Sequence, residues 1–160
     1  MKTFSTQELM YLAGLVDGDG SIIAQNVRRK DYVNKFQIRL TVQVTQLTKR
    51  RHHLVRIQSL VGAGSVQDYK DGISHYQLIG GAQVYNLLTQ LVPYLRIKKK
   101  QANLVIRIIQ QLPAGKKSKE KFLELCQLAD QVADLNDSKT RTVTADVVAS
   151  ELQGHTWIPR

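Results

Sequence analysis

Between Phe36 and Thr45 apolar and polar residues alternate without a break: Phe36, Ile38, Leu40, Val42 and Val44 against Gln37, Arg39, Thr41, Gln43 and Thr45. A period of two belongs to a strand with unlike faces, so this stretch predicts a strand buried on one side. Residues 21–27 predict a second strand, joined to it by the basic stretch 28–34. Residues 65–70 and 73–79 predict a hairpin around Asp71-Gly72, a dipeptide suited to tight turns. Elsewhere the helical period governs. Ser5 and Glu8 fit a capping box, and Leu9, Leu12, Ala13 and Val16 then predict a helix starting near Thr6. Leu54, Ile57, Leu60 and Val61 predict a helix over 48–60, and Val84, Leu87, Leu88 and Leu91 another after Gly80-Gly81. Pro93 breaks the chain. Further helices are predicted over 97–112, 118–135 and 144–152, with 113–117 as a linker.

Charge changes what the polar strand face means. The chain has 160 residues, suited to one compact domain, with 23 Lys and Arg against 13 acids and a net charge of +10. No Asp or Glu stands between residues 32 and 67, or between 72 and 119, so the basic excess is segregated in the middle of the chain. Such segregation points to a polyanionic partner more than to solubility. Gln and Arg make bidentate contacts to adenine and guanine edges in the major groove, and no acid interrupts their row. Cys126 is the lone cysteine, which excludes an intrachain disulfide and a cysteine-rich zinc site, and it reads as a small buried hydrophobe. His52, His53 and His75 lack a companion ligand set. No apolar signal core or Arg-rich transit helix is present, and no membrane partner is expected.

The candidate chemistry gathers in Leu12-Ala13-Gly14-Leu15-Val16-Asp17-Gly18-Asp19-Gly20. Gly14 in a helix interior costs roughly 1 kcal/mol relative to alanine, which calls for close approach of another backbone. Asp17 and Asp19 stand at the helix C-terminus, where the macrodipole disfavours negative charge, and a cation explains them better than stability does. An EF-hand loop from Asp17 is excluded by Ile22 and Arg28, where it needs glycine and glutamate. Asp19, flanked by glycines that let a carbonyl turn inward, suits a metal ligand for phosphodiester hydrolysis.

This segment closely resembles the signature of the LAGLIDADG homing endonucleases, with Val16 for isoleucine and Gly18 for alanine. Val44-Thr45-Gln46 with Arg50-Arg51, the run Leu95-Arg96-Ile97-Lys98-Lys99-Lys100-Gln101-Ala102-Asn103-Leu104-Val105, and Leu135-Asn136-Asp137-Ser138-Lys139-Thr140-Arg141 resemble the family in the same order. Together they resemble the single-motif, homodimeric members encoded in green-algal chloroplast group I introns, the likeness fading after about Thr144. The resemblance implies an α+β, αββαββα fold: a four-stranded antiparallel sheet backed by helices, with C-terminal helices. The single domain would span 1–160, its core about 5–112 and its C-terminal helical part about 118–153.

The function implied is a site-specific double-strand DNA endonuclease that leaves 3′ overhangs in a long, partly palindromic target and promotes mobility of its intron. By resemblance Asp19 and the Gly18 carbonyl hold Mg²⁺, with Mn²⁺ as a substitute, and Gln46, Arg50 and Lys98 complete the catalytic pocket. Gln46 would order the attacking water, and Arg50 and Lys98 would offset the developing charge. Leu12, Ala13, Gly14, Val16 and Asp17 are expected at the dimer interface, Asp17 capping the partner helix. Gln25, Arg28, Gln37, Arg39, Gln43, Gln67, Tyr69, His75 and Gln77 would read each half-site, and Asn136, Lys139 and Arg141 would lie near the DNA backbone. His75 stands where relatives often carry an acid. The alternatives are a maturase that binds intron RNA and a regulator that binds DNA without cutting; retention of Asp19, Gln46, Arg50 and Lys98 argues against the regulator. The expected compartment is the chloroplast.

Overall fold

The computed structural model describes residues 2–138 and 140–160. The first helix, α1 (Thr6–Asp19), begins at the capping box: the Ser5 hydroxyl accepts the Glu8 N–H at 3.1 Å and the Glu8 carboxylate accepts the Ser5 N–H at 3.2 Å. It passes into β1 (Gly20–Arg28) within one residue. Only glycine allows this, because a Cβ on Gly20 would stand 2.7 Å from the Val16 Cα and 2.9 Å from the Gln43 carbonyl oxygen. Asp19 is thereby fixed at the junction of helix and strand.

The chain continues through β2 (Phe36–Leu47), a 3₁₀ turn (Thr48–Arg50), α2 (Arg51–Val61), β3 (Ser65–Asp68), β4 (Ile73–Ile79), α3 (Gly81–Leu91), a second 3₁₀ turn (Val92–Tyr94), α4 (Lys99–Lys117), α5 (Lys119–Leu135) and α6 (Ala145–Glu151). The four strands form one antiparallel sheet in the order β1-β2-β4-β3. Ile22, Ala24, Leu40, Val42, Val44, Tyr76 and Leu78 are buried on one side of it, in a common core with Leu12, Val16, Leu54, Val84, Leu88, Val105 and Leu125. Each such side chain contributes about 1.5–3 kcal/mol on burial, so this row decides which side of the sheet the helices cover. Cys126 lies in this core with no exposure, and burial, helped by nearby Asp130, pushes its thiol up to about 12. Among the described residues no helix is long and apolar enough to cross a membrane.

Residues 113–117 are not a linker. The helix runs through Pro113 to Lys117, with the proline on its exposed side. A proline inside a helix removes one hydrogen bond and costs roughly 3 kcal/mol, which the packing of this last turn on α5 offsets. Gly115 is buried there so tightly that a Cβ would stand 2.7 Å from Leu125 Cδ1. Ser118 then caps α5, its hydroxyl accepting the Lys121 N–H.

Candidate functional site

On β2 the apolar row ends at Val44, and the next residue on that side is Gln46, just where α1 stops. The register Gly20↔Val44 brings it beside Asp19. The Gln46 amide nitrogen donates to Asp19 Oδ2 at 2.8 Å, and Arg50, at the end of the 3₁₀ turn that follows β2, donates from Nε to Gln46 Oε1 at 2.9 Å. Carboxylate, amide and guanidinium form a chain whose polarity fixes the amide: nitrogen toward the acid, oxygen toward the cation. Lys98, half-buried, donates from Nζ to the Asp17 carbonyl oxygen at 2.7 Å on the same helix end. The structure thus assembles Asp19, Gln46, Arg50 and Lys98 from three separate stretches of sequence.

The two aspartates have different tasks. Asp17 Oδ2 accepts the Arg96 N–H at 2.8 Å, and its Oδ1 accepts those of Ile97 at 3.2 Å and Lys98 at 3.0 Å. It holds the backbone of the segment leading into α4 in its own chain, not a partner's helix, and its charge lies just before the N-terminus of α4, where the dipole favours an anion. Asp17's position against the α1 dipole is therefore explained inside the chain. Asp19 is not so compensated: it is exposed, and Gln46 engages one of its two oxygens. Among the described residues there is no group of three or more His, Cys, Asp or Glu able to hold a metal. A single exposed carboxylate beside the Gly18 carbonyl suits a hard cation such as Mg²⁺, which keeps several waters and takes oxygen ligands from its substrate.

The side of the sheet away from the core carries most of the polar candidates. The register places Gln25 opposite Arg39, Gln43 opposite Gln77, Thr45 opposite His75 and Gln67 opposite His75, with Gln37 and Tyr69 on the same face. Several are tied across strands: Gln77 Nε2 donates to Gln43 Oε1 at 2.7 Å, Thr45 Oγ1 meets His75 Nδ1 at 2.8 Å, and the Tyr69 ring stands edge-on to His75 at 4.8 Å. Among the described residues Arg39 and Gln25 make no side-chain hydrogen bond or ion pair. Both line a groove of about 790 Å³ between β1 and residues 136–138 and 140–143. Ile23, Val27 and Ile79 share this face by the same parity, as does Arg29 through a 2.6 Å bond to Gln37 Oε1. Sequence reasoning passed over these four, although strand parity identifies the first three.

Three expected contacts are otherwise engaged. Arg28 pairs with Phe36 on the helix side of the sheet, where its guanidinium holds the Glu151 carboxylate at 2.7 and 3.0 Å. Asn136 donates to the Ile22 carbonyl at 3.0 Å and accepts from Gln101 at 3.4 Å, joining the end of α5 to β1 and α4. Arg141 donates to the Asp130 carbonyl and to the Asp134 carboxylate on α5. Lys139 lies outside the described residues.

The apolar letters of the motif also change role. Leu12, Ala13 and Val16 are 3 %, 1 % and 2 % exposed, so they belong to the chain's own core and are not free for a partner. The open side of α1 carries Met10, Tyr11, Gly14 and Gly18, both large side chains 58 % exposed. A Cβ on Gly14 or Gly18 would meet nothing within 4 Å. Within one chain, then, nothing requires glycine at either position.

Residues 12–103 match the model of the LAGLIDADG endonuclease family. The DNA endonuclease I-CreI of Chlamydomonas reinhardtii is 50% identical over 149 residues, covering 93% of this chain and 91% of that protein. The DNA endonuclease I-CvuI of Chlorella vulgaris is 42% identical over 147 residues, covering 91% of each. The crystal structure of I-CvuI with its target in 2 mM Ca superposes with a TM-score of 0.88 at 40% identity, over 94% of this chain and 96% of that one. The archaeal intron-encoded endonuclease I-Vdi141I, complexed with DNA, shares the fold with a TM-score of 0.79 at 18% identity, over 92% of this chain and 96% of that one.

Proposed function

Because the chain belongs to the LAGLIDADG endonuclease family, we propose that it is a homodimeric, Mg²⁺-dependent, site-specific double-strand DNA endonuclease that promotes mobility of its intron in a chloroplast. The observation that carries this reading is the Asp19–Gln46–Arg50 chain at the exposed helix tip, beside an uncovered sheet face lined with Gln, Arg and His.

Asp19 and the Gly18 carbonyl would hold the ion, which when bound polarises the phosphate and lowers the pKa of an attacking water. Gln46 keeps the Asp19 carboxylate oriented. Arg50 gives only Nε to Gln46, so its terminal N–H groups remain for phosphate oxygens, and Lys98 has two ammonium protons to spare beyond the one on Asp17. These preorganised donors lie where negative charge grows as the phosphorus becomes five-coordinate. Two copies related by a twofold axis at α1 bring two such tips together, one for each DNA strand, and a two-fold protein reads a partly palindromic site. The cuts cross the minor groove and leave 3′ overhangs, while the sheet faces read outward from the axis in the major groove.

The Asp19→Asn variant tests this. It keeps shape and hydrogen bonding to Gln46 but removes the charge. Cleavage should fall more than about a hundredfold, the scale of losing one preorganised charge-stabilising group. Target binding should be retained, and chelating the divalent ions of the wild type should do the same. Substantial cleavage of target plasmid by the variant would place the metal elsewhere and defeat the assignment.

A further inference from the structure

Residues 155–160 return across the molecule and clasp the loop between β1 and β2. The side chain of Asn34, buried at 7 % exposure, pairs with Ile158 in both directions: Nδ2 donates to the carbonyl oxygen at 2.8 Å and Oδ1 accepts the N–H at 3.0 Å. This double pairing fixes the amide, so His155 Nε2, 3.2 Å from Oδ1, carries the proton and donates. Behind this contact Trp157 packs on Phe122 with centroids 5.3 Å apart, its indole N–H donates to the Lys116 carbonyl at 3.1 Å, and the Arg160 N–H bonds the same oxygen at 3.2 Å. Trp157 and Arg160 line a cavity of about 240 Å³ together with Phe36, Leu112 and Leu125, and Trp157 packs against the edge of the hydrophobic core.

Within itself the loop is held by the Arg29–Asp31 ion pair, at 2.7 and 2.9 Å, and by a few backbone bonds. Its backbone bonds join Arg29 to Lys35, Tyr32 to Arg29 and Lys35 to Tyr32, and Lys35 sits at φ +70°, a conformation that non-glycine residues rarely adopt. From the loop a line of contacts reaches the uncovered sheet face. The guanidinium groups of Arg29 and Arg160 lie 4.3 and 5.3 Å from the Tyr32 ring centroid, and Arg29 holds Gln37 Oε1 at 2.6 Å. β1 is 9 residues long and leads away from Asp19. At roughly 3.3 Å per residue its far end is about 27 Å from the cutting site. That is about eight base pairs of B-DNA.

We propose that residues 155–160 are a strap that positions the 29–35 loop and Gln37, and thereby sets base preference at the outer end of each half-site. The proposal rests on the reading of the sheet as a DNA-reading face. Asn34, Trp157 and Ile158 are positioning residues, since they act through the loop.

Two measurements on the full-length protein test it. Amide hydrogen exchange in the free protein should accelerate at Arg29, Tyr32 and Lys35 in Asn34→Ala, in Trp157→Ala and when 155–160 is replaced by a Gly-Ser segment, with β2 exchange unchanged. Trp157→Phe, which keeps the aromatic packing, should restore protection. Binding to single-base target variants should show preference falling about tenfold at the outermost positions, the scale of one mismatch, while positions near the cut keep theirs. Unchanged loop exchange, or a loss spread evenly over all target positions, would overturn the strap. If the intact protein shows no base preference at all, the endonuclease reading fails instead, and the exchange experiment alone decides whether the strap orders the loop.

Discussion

Arg39 and Arg28 show how much depends on which side of a strand a cation occupies. Arg39 stands on the uncovered face opposite Gln25, without a partner among the described residues, so its planar fork is available for guanine O6 and N7. Arg39→Ala should cost about 1–3 kcal/mol of target binding and relax preference at one base pair per half-site. Binding to single-base variants over a range of salt checks this, and a change in overall affinity with preference intact everywhere would mean the strand does not read bases. Arg28→Ala should leave every preference unchanged, because its guanidinium is committed to Glu151 on the other side. Its effect belongs to stability and has a definite sign. The hydrogen bond from Arg28, then its charge, holds the Glu151 carboxyl below its ordinary 4.5 against the opposing effect of burial. A depressed carboxyl stabilises the fold above its unfolded pKa, and that contribution is lost as pH falls through the folded value. Wild type should therefore be more stable than Arg28→Ala at pH 7, and the gap should close as the medium is acidified below the usual carboxylate range. Urea melts at a series of pH values measure it.

At the scale of elements, β2 and the start of α1 were legible in the sequence because local chemistry decides them: strict alternation in one, a reciprocal cap in the other. The site at the helix tip was legible too, but through family resemblance, since Gln46, Arg50 and Lys98 carry no local signal of meeting Asp19. What failed were questions that tertiary packing answers. The α1 motif is apolar or small on more than one side, so its period alone could not say that Leu12, Ala13 and Val16 point into the core while Gly14 points out. Pro113 signals a break wherever nothing holds the next turn, and here α5 holds it. Asn26 interrupts the apolar row of β1 for a reason more than 100 residues away: its amide donates to Asp130 at 3.4 Å and to the Val143 carbonyl at 3.3 Å, pinning the C-terminal part to the sheet. The close approach at α4 and α5 can be tested directly. Gly115→Ala improves helix propensity yet should destabilise the protein by about 1–3 kcal/mol, because its new methyl would stand 2.7 Å from Leu125 Cδ1. A variant as stable as wild type would show that this contact yields.

For the whole molecule, the proposed homodimer has to bring together two chains that each carry a net charge of +10. Repulsion between like fields favours an uncharged surface near the axis as a meeting place, and the open stripe of α1 is one: Met10, Tyr11, Gly14 and Gly18 carry no charge. The same stripe ends at Asp19, so an isologous contact along it sets the two cutting sites side by side. Gly14→Leu separates the needs of the chain from those of the dimer. Within one chain a Cβ there meets nothing within 4 Å, and exchanging glycine for leucine in a helix gains somewhat less than the roughly 0.8–1 kcal/mol that separates glycine from alanine, so the monomer should fold and unfold at a slightly higher urea concentration. Between two helices in contact through their backbones the leucine has no room. The variant should therefore be a well-folded monomer at micromolar concentration, seen by sedimentation, and should lose specific binding to the two-half-site target while keeping weak, salt-sensitive binding to any duplex. A wild type that is itself monomeric at that concentration, or a Gly14→Leu protein that still dimerises and cuts, would mean that the α1 stripe is not the interface.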